Sequence, residues 1–286
     1  MTRFKLLAID VDGTLLGPDH RISDRTGREV RAAKQAGLTV CLCTGRSVVE
    51  TRAVWQECRL PGTADPLICI AGALVCEADT CRTLHIEPMD RDAAVAAGDA
   101  VRRAGLSVVA LVDSWRCGFD YIFVEGDDAA FVRAKWLDRH NCAVRTAASL
   151  ADLPDLPEVL RLTVLTEAAP AARNEAVVRE CVDGRLRIEL IYAPNNAVHV
   201  IECFGLRASK WAGVQYVTQG LRIPARDVAA VGDDVNDLPM LTHAGLGVAM
   251  GNAPPAVRHA AKHVAGRHDQ DGLAEFIEQL LAGEFD

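Results

Sequence analysis

Ile9-Asp10-Val11-Asp12-Gly13-Thr14 is the stretch on which the fold of this chain turns. It follows an apolar run, Phe4 to Ile9 with Lys5 as its only charge, which reads as a buried strand of a parallel sheet. Two carboxylates therefore sit where a strand ends and the chain turns. In an open α/β sheet the crevice beyond the carboxyl ends of the strands is where ligands bind, so Asp10 and Asp12 are placed for chemistry. Extended backbone puts both on one side with Val11 turned away, and Gly13 frees the chain to bend. Taken alone, the hexapeptide is equally compatible with a solvated acidic turn.

A chain of 286 residues, half of them apolar, is long for one domain and comfortable for two. A net charge of -8, with no run of Lys and Arg, argues against a nucleic-acid or anionic-membrane surface. The ten cysteines are scattered, several lie in apolar runs (Cys41, Cys43, Cys69, Cys76), and no CxxC pair occurs, which reads as buried thiols in a reducing compartment. No secretion signal opens the sequence and no apolar run approaches the ~20 residues needed to cross a bilayer, so the expectation is a soluble cytoplasmic protein.

Beyond the acidic turn, Ser23 caps a predicted helix to about Ala36, with Gly37 as its stop. Thr39 to Cys43 reads as the next strand and ends in Thr44-Gly45-Arg46-Ser47, where Ser47 and Glu50 form a capping box for a helix to about Cys58. A hydroxyl, a glycine and a helix start just beyond a strand can bind phosphate, or can simply cap the helix. Pro66 to Ile70 is a third strand, followed by Ala71-Gly72 and the apolar run Ala73 to Cys76. This βαβαβ rhythm predicts an α/β fold with a doubly wound, mostly parallel, Rossmann-like sheet.

From about Asp79 helical windows (Arg91 to Ala104, Asp128 to His140, Pro170 to Cys181) alternate with strands (Ser107 to Asp113, Tyr121 to Val124, Val159 to Leu165, Leu186 to Ile191, Ala197 to Cys203). The pattern predicts an inserted α/β domain at 79–199, interrupting a core made of 1–78 and 200–286. Ser209 then caps a helix whose first residue is Lys210, a position unfavourable for the helix dipole and better explained by a ligand. Val228 to Val231 is a short strand ending in a second acidic turn, Gly232-Asp233-Asp234-Val235-Asn236-Asp237. Leu246 to Met250 is a further strand, and Leu273 to Leu281 a closing helix. His259 and His263 lie four apart, at the spacing of one helix face.

Four strand ends thus offer two acidic clusters, a Thr-Gly pair and a lysine, a set suited to phosphoryl transfer. A carboxylate attacking a phosphate dianion meets repulsion on the order of 4 kcal/mol per charge pair at ~4 Å, even at an effective dielectric near 20. Hard oxygen ligands from the two acidic turns select Mg²⁺, whereas zinc would want His or Cys. Lys210 adds a positive charge, and Thr44 with the Gly45 amide supplies neutral donors.

Asp10-Val11-Asp12-Gly13-Thr14, Thr44-Gly45-Arg46, Lys210 and Gly232-Asp233-Asp234-Val235-Asn236-Asp237, in that order, closely resemble the haloacid dehalogenase superfamily. Within it the chain resembles the Cof-like phosphatases, in which a large α/β cap is inserted after the third core strand. The likeness extends to Glu202, Gly251-Asn252-Ala253 and Asp271-Gly272. It implies Asp10 as nucleophile, forming an aspartyl-phosphate, and as metal ligand. It implies Asp12 as general acid and then base, with its backbone carbonyl on the metal, and Asp233 as the third protein ligand of Mg²⁺. Thr44, Gly45, Lys210 and Asn236 would hold the phosphoryl group, with Arg46 and Asp237 in supporting roles.

An acid at position 12 separates the family's phosphatases and phosphomutases from its dehalogenases. The resemblance thus predicts a Mg²⁺-dependent phosphatase of small organic phosphates, sugar phosphates first. A phosphomutase or a non-catalytic sugar-phosphate sensor is the alternative. Two departures stand out: Ala71 replaces a customary Asn before Gly72, and Arg207 precedes Ser209-Lys210, either as a second anion contact or as a surface residue.

Overall fold

The structure, a computed structural model, describes residues 2–60, 65–139, 142–193 and 197–286. In chain order the first part contains β1 (Leu6–Asp10), α1 (Asp24–Gln35), β2 (Thr39–Cys43), α2 (Val48–Cys58), β3 (Pro66–Cys69), β4 (Leu74–Glu77) and β5 (Thr83–Ile86). The middle contains α3 (Arg91–Arg103), β6 (Val108–Val112), α4 (Ser114–Cys117), β7 (Tyr121–Val124), α5 (Ala129–Lys135), β8 (Val144–Ala147), β9 (Val159–Thr166), α6 (Ala171–Val182), β10 (Arg187–Ala193) and β11 (Val198–Phe204). The last part contains α7 (Lys210–Leu221), β12 (Val228–Gly232), α8 (Leu238–His243), β13 (Leu246–Ala249), α9 (Pro255–Ala260), β14 (His263–Val264) and α10 (Gly272–Ala282).

These elements form two compact units, Met1–His85 with Ser209–Asp286, and Ile86–Ala208. The joints fall beyond 78/79 and 199/200, where the sequence pattern places them. β5 extends the first sheet past residue 78, and β11 runs through residue 200 as an inner strand of the second.

The first unit is built on an eight-stranded sheet in the order β14-β13-β12-β1-β2-β3-β4-β5. Its strands from β14 to β3 are parallel, and β4 returns antiparallel against β3. All five residues of β1 are buried, as a strand covered on both faces requires. On one face Leu6 and Ala8 pack with Cys41, Cys43 and Ile68 against Trp211, Val214 and Val217 of α7 and Met240 and Leu241 of α8.

The order of strands reverses around β1, which has β12 on one side and β2 on the other. A crevice for ligand therefore belongs at the carboxyl end of β1. Register brings the loops level there: Asp10 lies beside Cys43, Cys43 beside Ile68, and Ile9 beside Val231.

The second unit carries a six-stranded sheet in the order β10-β11-β9-β6-β7-β8, antiparallel except for the β7–β8 pair. One face packs Val108, Ala110, Ile122, Leu162 and Ile201 against Ala94, Ala97 and Val101 of α3 and Val178 and Val182 of α6.

Two expectations change. The helix predicted over Asp128 to His140 is the short α5, because Trp136 leaves helical backbone (φ -131°) and a 3-10 turn follows at Leu137–Arg139; His140 lies outside the described residues. His259 and His263 do not share a helix face. α9 ends at Ala260, and His263 belongs to β14, where its ring packs on Phe276 and Phe285. The apolar run Ala73 to Cys76 supplies most of β4, which pairs antiparallel with β3. All ten cysteines are free thiols, and no helix among the described residues is long and apolar enough to cross a membrane.

Candidate active site

β1 delivers Asp10 to the switch point with its carboxylate buried. α7 begins at Lys210 because the Ser209 hydroxyl accepts the Ala212 amide and caps the helix. The lysine thereby aims inward: its Nζ donates to Asp10 Oδ1 and to Asp237 Oδ1, each at 2.7 Å. Burial works against the Lys210 charge, but Asp10 and then Asp237 overcome it and push its pKa up. Burial likewise pushes the Asp10 carboxyl well up, Lys210 pulls it back, and the nearby Asp237 and Asp233 raise it again.

Asp237 is fully buried and occupied on both oxygens. Oδ1 accepts from Lys210, while Oδ2 accepts the amides of Asp233 and Asp234, each at 2.9 Å. This closes the turn that follows β12. Gly232 is required for the same closure, since a Cβ there would lie 2.4 Å from Asp237 Cγ. The side chain of Asp237 is thus an anchor for both the turn and the lysine.

Asp233 faces Asp10 across the crevice. Asp10, Asp233 and Asp237 offer oxygens within 4.8 Å of one another. Burial, followed by the Asp237 charge, pushes the Asp233 carboxyl up to about 6. With Asp237 engaged on both oxygens, Asp10 and Asp233 present a hard, all-oxygen donor set whose countercharge is Lys210, and a divalent cation of the Mg²⁺ class fits it.

Asn252, in the loop after β13, donates to Asp233 Oδ2 at 3.0 Å and to the Gly13 carbonyl at 2.9 Å, while its own Oδ1 accepts the His268 amide at 3.1 Å. Thr14 donates weakly to Asp233 Oδ1 at 3.4 Å. Gly13, at φ +76°, has no room for a side chain, because a Cβ would lie 2.3 Å from Asp233 Oδ2.

Asp12 points elsewhere. Its carboxylate is half exposed and is held by Arg46, with Nε to Oδ2 at 2.8 Å and Nη2 to Oδ1 at 2.5 Å. Thr44 is buried at the end of β2, and its hydroxyl accepts the Arg46 amide at 3.1 Å. A Cβ at Gly45 would meet nothing within 4 Å, so open space lies beside that backbone. The Asn236 amide oxygen is buried without a hydrogen-bond partner among the described residues, as expected of an acceptor awaiting a ligand or water.

The structure brings Asp10, Asp233, Asp237 and Lys210 into one cluster and joins Asp12 to Arg46. Arg207 pairs with Glu87 at 2.7 Å in the second unit, consistent with the surface alternative for that residue. Glu202 is also in the second unit, where it makes a buried ion pair with Arg161 at 2.7 Å. Ala71 occupies left-handed backbone (φ 51°, ψ 32°) with its amide on the Thr44 carbonyl, a conformation that suits the customary Asn better. The positioning part played by Asn252 and Thr14 is absent from the motif reading. The signal for Asn252 is its place at the carboxyl end of another parallel strand, where a polar residue is a site candidate.

A family model for haloacid dehalogenase-like hydrolases matches residues 7–277. The 5-amino-6-(5-phospho-D-ribitylamino)uracil phosphatase YitU of Bacillus subtilis is 29% identical over 292 residues, covering 98% of this chain and 99% of its own. The pyridoxal phosphate phosphatase YbhA of Escherichia coli is 26% identical over 286 residues, with coverages of 97% and 98%. The fold is also that of a haloacid dehalogenase-like hydrolase from Bacteroides thetaiotaomicron, with a TM-score of 0.75 at 22% identity over 97% of this chain and 99% of the other. With the carboxylates, the lysine and the switch point in one place and the family match spanning both units, this chain belongs to the haloacid dehalogenase-like hydrolases.

Proposed function

We propose that this phosphoric monoester hydrolase acts in the cytoplasm on small organic phosphates, sugar phosphates foremost, through a phosphoryl group carried by Asp10 with Mg²⁺ bound. One observation carries the reading: the buried Lys210 bridges Asp10 and Asp237 at 2.7 Å each, with Asp233 beside them. A buried cation held between two buried carboxylates at the carboxyl end of a strand, beside a third carboxylate, is the kind of charge cluster that marks a functional site.

Asp10 attacks phosphorus through a carboxylate oxygen, and the bond from phosphorus to the ester oxygen breaks. Asp12 donates the proton that the departing alcohol takes up. Asp12 then accepts a proton from the water that attacks the phosphoryl group on Asp10, so that inorganic phosphate leaves and the Asp10 carboxylate is regenerated. Lys210 offsets the charge of the phosphoryl oxygens, while the Thr44 hydroxyl, the Gly45 amide and Asn236 seat them. Asp10, Asp233 and the backbone carbonyl of Asp12 would hold Mg²⁺, which would supply positive charge to offset the repulsion between a carboxylate and a phosphate dianion.

Arg46 orients Asp12, and Asp237 anchors Lys210. The inserted unit Ile86–Ala208 takes the cap role and the remainder the catalytic one. A relative named for a phosphoribityl compound supports a polyol or sugar phosphate as substrate class.

The test is phosphate release from a panel of sugar phosphates, nucleotides and an aryl phosphate, with Mg²⁺ and with EDTA, for wild type and Asp10→Asn. Release that needs the metal and disappears in Asp10→Asn is expected, strongest on sugar phosphates. No release from any compound would overturn the reading and turn attention to interconversion of phosphate positions or to simple binding.

A further inference from the structure

β10 closes one edge of the six-stranded sheet, with β11 as its only neighbouring strand among the described residues. Proteins usually blunt such an edge with Lys, Pro, a bulge or a covering element. β10, with the sequence Arg-Ile-Glu-Leu-Ile-Tyr-Ala, has neither Lys nor Pro, and it runs in unbroken register with β11 from Arg187 opposite Phe204 to Ala193 opposite Val198. Its two charges, Arg187 and Glu189, pair with each other and so cancel along the strand. Leu190, Ile191 and Tyr192 are 43%, 38% and 55% exposed. Three consecutive apolar residues on a strand expose both of its faces. On one face Leu190 and Tyr192 continue outward the row begun by Ile188, which packs on the core of the unit, and the Tyr192 ring lies 5.0 Å from His199.

We propose that β10 pairs with β10 of a second copy of this chain, antiparallel about a two-fold axis through Leu190, so that the two sheets become continuous. In such pairing facing residues share a side of the sheet, so the axis must pass through a residue. An axis at Glu189 sets two carboxylates face to face, and an axis nearer either end leaves part of the strand unpaired. The axis at Leu190, the midpoint of Arg187–Ala193, engages the whole strand. It sets Leu190 against Leu190 and Ile188 against Tyr192 on one face and Glu189 against Ile191 on the other, with no like charges opposed. A second copy fits because this edge is complementary to itself in both apolar pattern and charge.

The experiment is light scattering after size exclusion on the full chain at micromolar concentration. Wild type is expected at twice the 30.8 kDa chain mass. Leu190→Lys, Ile191→Lys and Tyr192→Lys should each shift toward the single-chain mass with circular dichroism unchanged and a cooperative melt retained, which separates lost pairing from lost folding. Leu190→Cys, facing its own copy, should cross-link under mild oxidation where wild type does not. A single-chain mass for wild type, a dimer indifferent to the lysines, or a dimer in which Leu190→Cys fails to cross-link would each overturn the proposal.

Discussion

Arg46 grips both carboxylate oxygens of Asp12, at 2.8 Å from Nε and 2.5 Å from Nη2, while its own amide is bound to the Thr44 hydroxyl. Two-point pairing fixes the plane of a carboxylate in a way that a single contact cannot. The loop after β2 thereby sets the orientation of the residue proposed to move the proton.

Arg46→Ala is therefore expected to lower kcat by about 10²-fold, the scale of a misplaced catalytic group. Arg46→Lys should recover little, because an ammonium is a point charge without the fork. Steady-state kcat and KM for both variants check this, and wild-type kcat in Arg46→Ala would disconnect Arg46 from Asp12.

Lys210 neutralises carboxylates that cannot reach water. Lys210→Met leaves Asp10 and Asp237 buried without their cation, and removal of one partner from such a cluster costs about 3–5 kcal/mol. Urea unfolding of the metal-free protein should show that loss. A loss below about 1 kcal/mol would mean that Asp10 and Asp237 relax toward solvent or take up protons when the lysine is gone.

The Asp233 carboxyl is pushed from its ordinary 3.8 to about 6 by burial and by Asp237. The folded, metal-free chain therefore holds this proton more tightly than the unfolded chain. Its contribution to stability is fully present below about pH 4 and is lost as pH rises toward about 6. Because cation binding requires the ionised form, apparent Mg²⁺ affinity should fall roughly tenfold per pH unit below that value. Asp233→Asn should raise the melting temperature of the metal-free protein above pH 6 and abolish Mg²⁺ binding. Calorimetric titration at pH 5 and 7 and melting with EDTA measure both effects.

Asn252 ties Asp233 to the Gly13 carbonyl and is itself held by the His268 amide. Asn252→Ala frees the Asp233 side chain, and Mg²⁺ affinity should weaken by about 10–100-fold, the usual effect of losing a group that orients a ligand. Mg²⁺ titration by calorimetry reads it directly, and unchanged affinity would leave Asn252 a loop fastener only.

Ala71 carries a Cβ in left-handed backbone, which costs roughly 1–2 kcal/mol for an L side chain. Ala71→Gly should relieve most of it and, after the added freedom of the unfolded chain, gain about 1 kcal/mol in urea unfolding. A loss of stability would show that the methyl group packs more favourably than its backbone is strained.

Local order was legible because it is set by neighbours in sequence. Ser23, Ser47 and Ser209 cap the helices that the residues after them predict, and the Ser47–Glu50 capping box forms as its spacing requires. Thr39–Cys43 and Tyr121–Val124 are strands with the bounds that their apolar runs suggest. Short or edge elements were not legible. β8 and β14 carry too few apolar residues to show a period, β5 alternates over only four residues, and all three lie at or next to a sheet edge beside a strand that offers them hydrogen bonds.

By itself the sequence determined the α/β class, the acidic turns at the ends of two parallel strands and the lysine at a helix start, because the 2- and 3.6-residue periods and the caps are local. Only the tertiary structure decided which carboxylates share a cation and which are spoken for. Lys210 is 200 residues from Asp10 and 27 from Asp237, and the register of β12, β1 and β2 brings these chain ends level. The same long-range packing sends Asp12 to Arg46, fastens Asp233 to Asn252 and leaves β10 at an open edge. Such contacts depend on strand order and register, which no short window of sequence encodes.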